Sequence, residues 1–216
     1  MKKTNKFLQI FDIKMFLYDL LKFIAAPSVL IYNRLKRVYV DKSIKKDLRK
    51  KAYIVTCNHT SYMDVLVISN TFWTRRIRYV ATKELFESKV RNFCFKLFKC
   101  IPIDKENVSM KTFKEIKKTI DNGHLIGVFP EGTIEREGEI TQFKSGVVLM
   151  AIMAKAPIVP MYMEKRTKWY KRQRVVVGEM VNVFDYIKSP IPTIDEINSV
   201  AKMLFEKEQE LKNKLK

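Results

Sequence analysis

The chain has 216 residues, of which 47% are hydrophobic, so it is long and apolar enough for a domain with a real core, and a disordered chain is excluded. Its 42 lysines and arginines outnumber 23 aspartates and glutamates, a formal net charge of +19 that directs the surface towards polyanions: nucleic acid, anionic lipid or acidic partners. The three cysteines, Cys57, Cys94 and Cys100, have no metal-ligand spacing, and their odd number argues against a disulfide framework and for a reducing compartment.

The first 51 residues read as an amphipathic, membrane-binding helical segment followed by a basic linker. Asn5, Asp12 and Asp19 align on one side of a helical wheel, flanked by Gln9 and Lys22. Phe7, Phe11, Phe16, Leu17, Leu20, Leu21 and Ile24 cover most of the rest. A spanning helix wants about 20 mostly apolar residues, and a central charge costs about 2.5–3.5 kcal/mol. Asp19, Lys22 and Pro27 interrupt the stretch from Met15 to Tyr32, which predicts a helix lying in the membrane interface rather than crossing it. A helix packed on the domain core is the alternative. No cleavable signal peptide is evident, since Ala25-Ala26 runs into Pro27. The cations from Arg34 to Lys51 then favour an anionic leaflet, at about 1 kcal/mol each near the surface. Together these features predict peripheral or monotopic attachment at the cytoplasmic face of the cell membrane.

Residues 52–216 read as one α/β domain, a mixed central sheet covered by helices. Short apolar runs predict strands at Tyr53–Thr56, Ile77–Ala81, Leu125–Phe129, Ile158–Met163 and Arg174–Val183. Helical periodicity covers Val65–Phe72, Lys89–Lys99, Met110–Asn122 and Ser145–Lys155, with Gly123 placed to end the third. Thr193 and Glu196 predict a capping box on a terminal helix, whose apolar stripe is Ile197, Val200, Ala201, Leu204, Leu211 and Leu215.

Between the first strand and the first helix of that domain stands Asn58-His59-Thr60-Ser61-Tyr62-Met63-Asp64. Positions five apart lie about 140° apart on an ideal helix, so His59 and Asp64 cannot meet if both are helical. They meet if His59 lies in the turn that ends the strand and Asp64 opens the helix. Thr60 or Ser61 then serves as N-cap, and Asn58 steadies the turn. Asp64 would fix the tautomer and leave the second ring nitrogen basic. A surface histidine in a polar turn is an equally good reading of this segment alone. Downstream, Phe129-Pro130-Glu131-Gly132-Thr133 is a strand end broken by proline, where glycine lets backbone amides approach an anion. Ile101-Pro102-Ile103-Asp104-Lys105 puts a cation after a buried turn, Phe143-Lys144-Ser145-Gly146 puts another at a helix start, and Ala156-Pro157-Ile158-Val159-Pro160 is a proline-bracketed strand.

In this order and spacing, four of these segments resemble the blocks of the 1-acylglycerol-3-phosphate acyltransferase family: Asn58-His59 with Asp64, Ile101 to Asp104, Phe129 to Thr133, and Ala156 to Pro160. The resemblance covers Ala52 to Met161. It implies acyl transfer from a thioester, acyl-CoA or acyl-carrier protein, to the free hydroxyl of a lysophospholipid, without metal or cofactor. His59 would be the general base and Asp64 its orienting acid, with Asn58 in support. Glu131, Gly132 and Thr133 would belong to the acceptor-binding block, with Lys105 and Lys144 as cations for phosphate. The family has arginine where Lys105 stands, and arginine then serine where this chain has Ile134 and Glu135. Lysine keeps the charge but not the planar fork, and Ile134 removes a cation. The acceptor therefore stays open between lysophosphatidic acid and another lyso-lipid or a glycolipid.

The remaining signals are weaker. His124, after Gly123, reads as a turn residue. Phe93, Phe95 and Phe98 read as core packing, with an acyl-chain tunnel as the alternative. Trp169-Tyr170 among cations suits a membrane-surface loop. No nucleic-acid-binding module is recognisable, so the expected partners are the thioester donor, the lyso-lipid and an anionic membrane.

Overall fold

The structure is a computed structural model that describes residues 34–104, 108–132, 143–166, 168, 171–189 and 191–215, together with Phe16, Asp19, Leu20, Lys22, Phe23, Ile24, Pro27 and Ile31. Among these, seven strands form one sheet in the order β1-β7-β6-β2-β5-β3-β4. The strands are β1 (Lys36–Tyr39), β2 (Ile54–Cys57), β3 (Ile77–Thr82), β4 (Ile101–Ile103), β5 (Leu125–Val128), β6 (Ile158–Met163) and β7 (Arg174–Val177). Strands β6, β2, β5, β3 and β4 run parallel, while β7 is antiparallel to β6 and β1 is parallel to β7. The sheet is mixed, as expected.

Helices cover both faces, and the strand residues alternate between them. Ile54 and Ile126 turn to the face covered by α4 (Met110–Asp121), α5 (Gly146–Ala154) and α6 (Ile194–Asn213). Val55, Cys57 and Leu125 turn to the other, where α1 (Lys45–Lys50) and α2 (Asp64–Thr71) contribute Leu48, Val67 and Ile68. A further helix, α3 (Lys89–Leu97), lies between β3 and β4 in the chain. Local signals set several helix ends. Ser109 accepts from the Thr112 N–H to start α4, Gly123 closes it at φ 78°, and Thr193 with Glu196 forms the predicted capping box of α6. The predicted stripe is buried along α6 from Ile197 to Leu211, and Leu215 just past the helix end is buried as well.

Three boundaries differ from expectation. The basic stretch expected to be a linker contains β1, paired residue by residue with β7, and α1, whose Leu48 is buried. A division at residues 51 and 52 therefore cuts within the sheet-bearing unit. Ile101 to Ile103, expected as a turn, is the edge strand β4, and an edge is where a strand tolerates Pro102. Strand β7 stops at Val177, where Gly178 N–H donates to Pro160 O at 2.8 Å, and only a single bridge, Ile158 with Val181, follows.

The described part of the N-terminal segment is helical and orients its polar side inward. Asp19 accepts from the Arg76 guanidinium, and Lys22 donates to Arg75 O at 2.6 Å beneath the Trp73 ring. Phe16, Phe23, Ile24 and Ile31 are 63–77% exposed. No helix among the described residues is long and apolar enough to cross a membrane.

Candidate active site

Because β2, β5 and β6 are adjacent and parallel, their carboxyl ends converge, and open α/β sheets bind ligands at such edges. The chain leaves β2 at Asn58, whose amide donates to Met163 O at 2.9 Å and accepts from Met163 N–H at 2.8 Å. This buried side chain continues the β2–β6 ladder for one step and anchors the start of the turn. His59 follows, and its backbone N–H donates to Glu131 Oε2 at 3.1 Å, so the turn after β5 grips the turn after β2.

Asp64 opens α2 and is 2% exposed. Its Oδ2 lies 3.0 Å from His59 Nδ1 and accepts from Thr60 N–H at 2.6 Å and Ser61 N–H at 2.8 Å. The Thr60 and Ser61 hydroxyls donate to Oδ1 at 3.3 and 3.1 Å. These hydroxyls do not cap α2, contrary to expectation: the N-cap is Met63, without a side-chain cap. The carboxylate sits inside the turn and draws His59 Nδ1, two backbone N–H groups and two hydroxyls. Since a carboxylate only accepts, Nδ1 carries the proton and Nε2 presents a lone pair. Nε2 has no hydrogen-bond partner among the described residues, and His59 lines the main cavity.

An aromatic column backs the imidazole. The His59 ring stacks on Phe129 at a centroid distance of 3.9 Å and 15°, and Phe129 stacks on Tyr79 at 6.3 Å and 11°. The Tyr79 hydroxyl donates to Val65 O at 2.8 Å and pairs with Ser69 Oγ at 2.9 Å, tying the column to α2. Tyr79 lies across Gly127, where a Cβ would come within 2.5 Å of the ring. Nothing in the hydrophobic pattern marked Tyr79. The one available signal was a glycine inside a strand, which often records a close approach.

The cavity measures about 1720 Å³. Leu66, Val80, Leu85, Phe95, Phe98 and Ile103 line it with apolar surface. Phe95 and Phe98 thus face the cavity, the alternative kept open for them, while Phe93 is 68% exposed. In the turn after β5, Gly132 takes φ 74°, and the Lys144 ammonium lies 3.1 Å from the place its Cβ would occupy. Lys144 lines the cavity. Lys105 and Thr133 lie outside the described residues, as do Ile134, Glu135, Trp169 and Tyr170. His124 stands at the opposite end of β5 from the site, as a turn residue would.

Neither described cysteine competes as a nucleophile. Burial pushes the Cys57 thiol well up, with the carboxylates of Glu208, Asp64 and Glu131 adding to it, and burial pushes Cys100 to about 12. Ser61 Oγ is bonded to Asp64 and to Met63 N–H, away from the base.

A histidine held by a buried carboxylate beside an apolar cavity is an arrangement able to deprotonate a hydroxyl next to a long apolar substrate. The chain matches the family model described as Acyltransferase over residues 37–164, and it belongs to that family as an O-acyltransferase. It is 27% identical over 184 residues to the 1-acyl-sn-glycerol-3-phosphate acyltransferase of Bacillus subtilis, covering 83% of this chain and 89% of that protein. It is 29% identical over 234 residues to a probable 1-acyl-sn-glycerol-3-phosphate acyltransferase of Mycoplasma genitalium, covering 90% and 87%. The crystal structure of the 1-acyl-sn-glycerophosphate acyltransferase PlsC from Thermotoga maritima shares the fold, with a TM-score of 0.58 and 21% identity over 91% of this chain and 80% of that one.

Proposed function

We propose that the protein transfers a fatty acyl group from acyl-CoA or acyl-carrier protein to the free hydroxyl of 1-acylglycerol-3-phosphate, giving phosphatidic acid. The observation that carries this reading is the 3.0 Å contact between His59 Nδ1 and Asp64, with the other ring nitrogen open to the cavity. His59 Nε2 takes the hydroxyl proton as the oxygen attacks the thioester carbonyl. Asp64 stabilises the resulting imidazolium. When the tetrahedral intermediate collapses, the C–S bond breaks and the imidazolium returns its proton to the thiolate, so acyl ester and free thiol leave. The acyl chain lies against the apolar wall that includes Leu66, Phe95 and Phe98. Glu131 holds His59 through its backbone, and Lys105, Lys144, Gly132 and Thr133 serve the acceptor.

The same reading puts the enzyme at the surface of an anionic membrane. Support comes from the N-terminal segment, whose acid and lysine meet the domain while its aromatic and aliphatic side chains face outward. A helix packed to finish a soluble core would turn the other way.

His59→Ala tests the chemistry. Acyl transfer to 1-acylglycerol-3-phosphate, followed by mass spectrometry with each thioester, is expected to be lost while the protein still floats with anionic vesicles. Full activity in that variant would remove the mechanism. A second reading, another lyso-lipid or a glycolipid as acceptor, is favoured by Ile134 and Glu135 standing where the family has arginine and serine. A panel of lyso-acceptors in the same assay separates the two.

A further inference from the structure

The C-terminal helix α6 lies outside the 37–164 segment shared with the family, yet it walls the catalytic cavity. It carries two adjacent stripes. Ile197, Val200, Ala201 and Leu204 pack into the core. Asp195, Asn198, Ser199 and Lys202 recur at intervals of three and four, and they line the cavity. Lys202 and Lys144 therefore share one cavity with His59. Neither ammonium has an ion-pair partner among the described residues. Asp195, on the same face as Lys202, is seven residues away, about 10 Å along the axis and beyond pairing distance. Lys22 also lines the cavity, but it is committed to Arg75 O and the Trp73 ring. Asp104, a further acid in the lining, is paired with Lys83 at 3.1 Å.

We propose that Lys202, acting with Lys144, binds the phosphate monoester of the acceptor and so determines acceptor specificity. This rests on the acceptor reading given above. A phosphate monoester carries up to two negative charges and is matched by two cations, which act as point charges where arginine would act as a fork. In the sequence, Ile134 stands two residues after Gly132 where the resemblance implies an arginine, one cation fewer. Lys144 lies over Gly132, and Lys202 supplies a second positive charge from a separate helix. Asn198 and Ser199 add neutral polar groups to the same wall.

The test uses the full-length protein with Lys202→Ala and Lys202→Arg, and steady-state kinetics with each thioester. Lys202 is exposed, so both variants are expected to fold, with melting temperature as the check. The KM for 1-acylglycerol-3-phosphate is expected to rise about ten- to hundredfold in Lys202→Ala, the loss typical of one charged hydrogen bond. Lys202→Arg is expected to recover most of it, with kcat and the thioester KM little changed. A rise in the thioester KM instead assigns Lys202 to a donor phosphate and overturns the proposal. So does an unchanged KM for both substrates. If the unmodified protein does not acylate 1-acylglycerol-3-phosphate with either thioester, the acceptor reading falls and takes the proposal with it. That outcome is distinct from an active parent with an indifferent Lys202→Ala.

Discussion

Asp64 carries more of the site than its partner does. One carboxylate orders His59 Nδ1, two backbone N–H groups and two hydroxyls, and it is almost fully buried. Asp64→Asn brings an amide donor among these donors and removes the charge that steadies the imidazolium in the proposed mechanism. Transfer is expected to slow about 10²- to 10⁴-fold, the usual worth of a positioned base. The melting temperature should fall as well, because buried donors lose their acceptor. A variant that melts lower but transfers at the parent rate would refute the tautomer argument. Glu131 permits a finer distinction. Glu131→Gln still accepts the His59 N–H and is expected to stay within about threefold of parent activity, whereas Glu131→Ala should lose at least tenfold, on the order of one lost hydrogen bond to a charged group. Equal losses in both would mean that the charge itself meets the acceptor.

At the level of elements, β3 and β5 support the His59 ring through packing. Gly127→Ala drives a methyl into the Tyr79 ring, which must shift and strain its bonds to Val65 O and Ser69. Overpacking of this kind costs about 1–3 kcal/mol, so thermal melts should show a lowered transition, and adding Tyr79→Leu should restore it without restoring activity. Recovery of full activity in the double variant would show that the aromatic column does not position His59. The same elements explain what could be read in advance. Strands β2, β3, β5 and β6 were legible because inner strands are near-continuous apolar runs. Strand β1 was not, because an edge strand beginning Lys36-Arg37 looks like any basic stretch, and Pro102 disguised β4. His59 and Asp64 were legible from spacing and context together. Tyr79 was not, since an alternating aromatic in a strand looks like core. Lys202 was not, because a polar stripe on a terminal helix looks like a solvated face until the cavity beside it is known.

Across the whole molecule, the N-terminal segment is joined to the domain by an unfavourable lysine. Burial brings Lys22 down to about 8 from 10.5, with Asp19 opposing the shift and Arg76 reinforcing it. Between those values the unfolded chain binds more protons than the folded one, so stability from this group rises with pH. Below about 8 the penalty is fully present. Lys22→Met, which keeps the packing, is therefore expected to melt above the parent at pH 7 and to lose that lead towards pH 10. A lead that grows with pH would contradict the assignment.

The joint between β2 and β6 has a consequence in time. His59 and Asp64 are five residues apart, but Glu131 reaches His59 across 72 residues and Met163 reaches Asn58 across 105. During synthesis the reactive pair emerges first and its clamps much later. Long-range pairing of this kind is slow to form. A nascent chain that has not yet delivered Met163 lacks the anchor of Asn58, and only the bonds within residues 59–64 order the turn. The clamps on His59 and Asn58 can therefore close only after Glu131 and Met163 have left the ribosome.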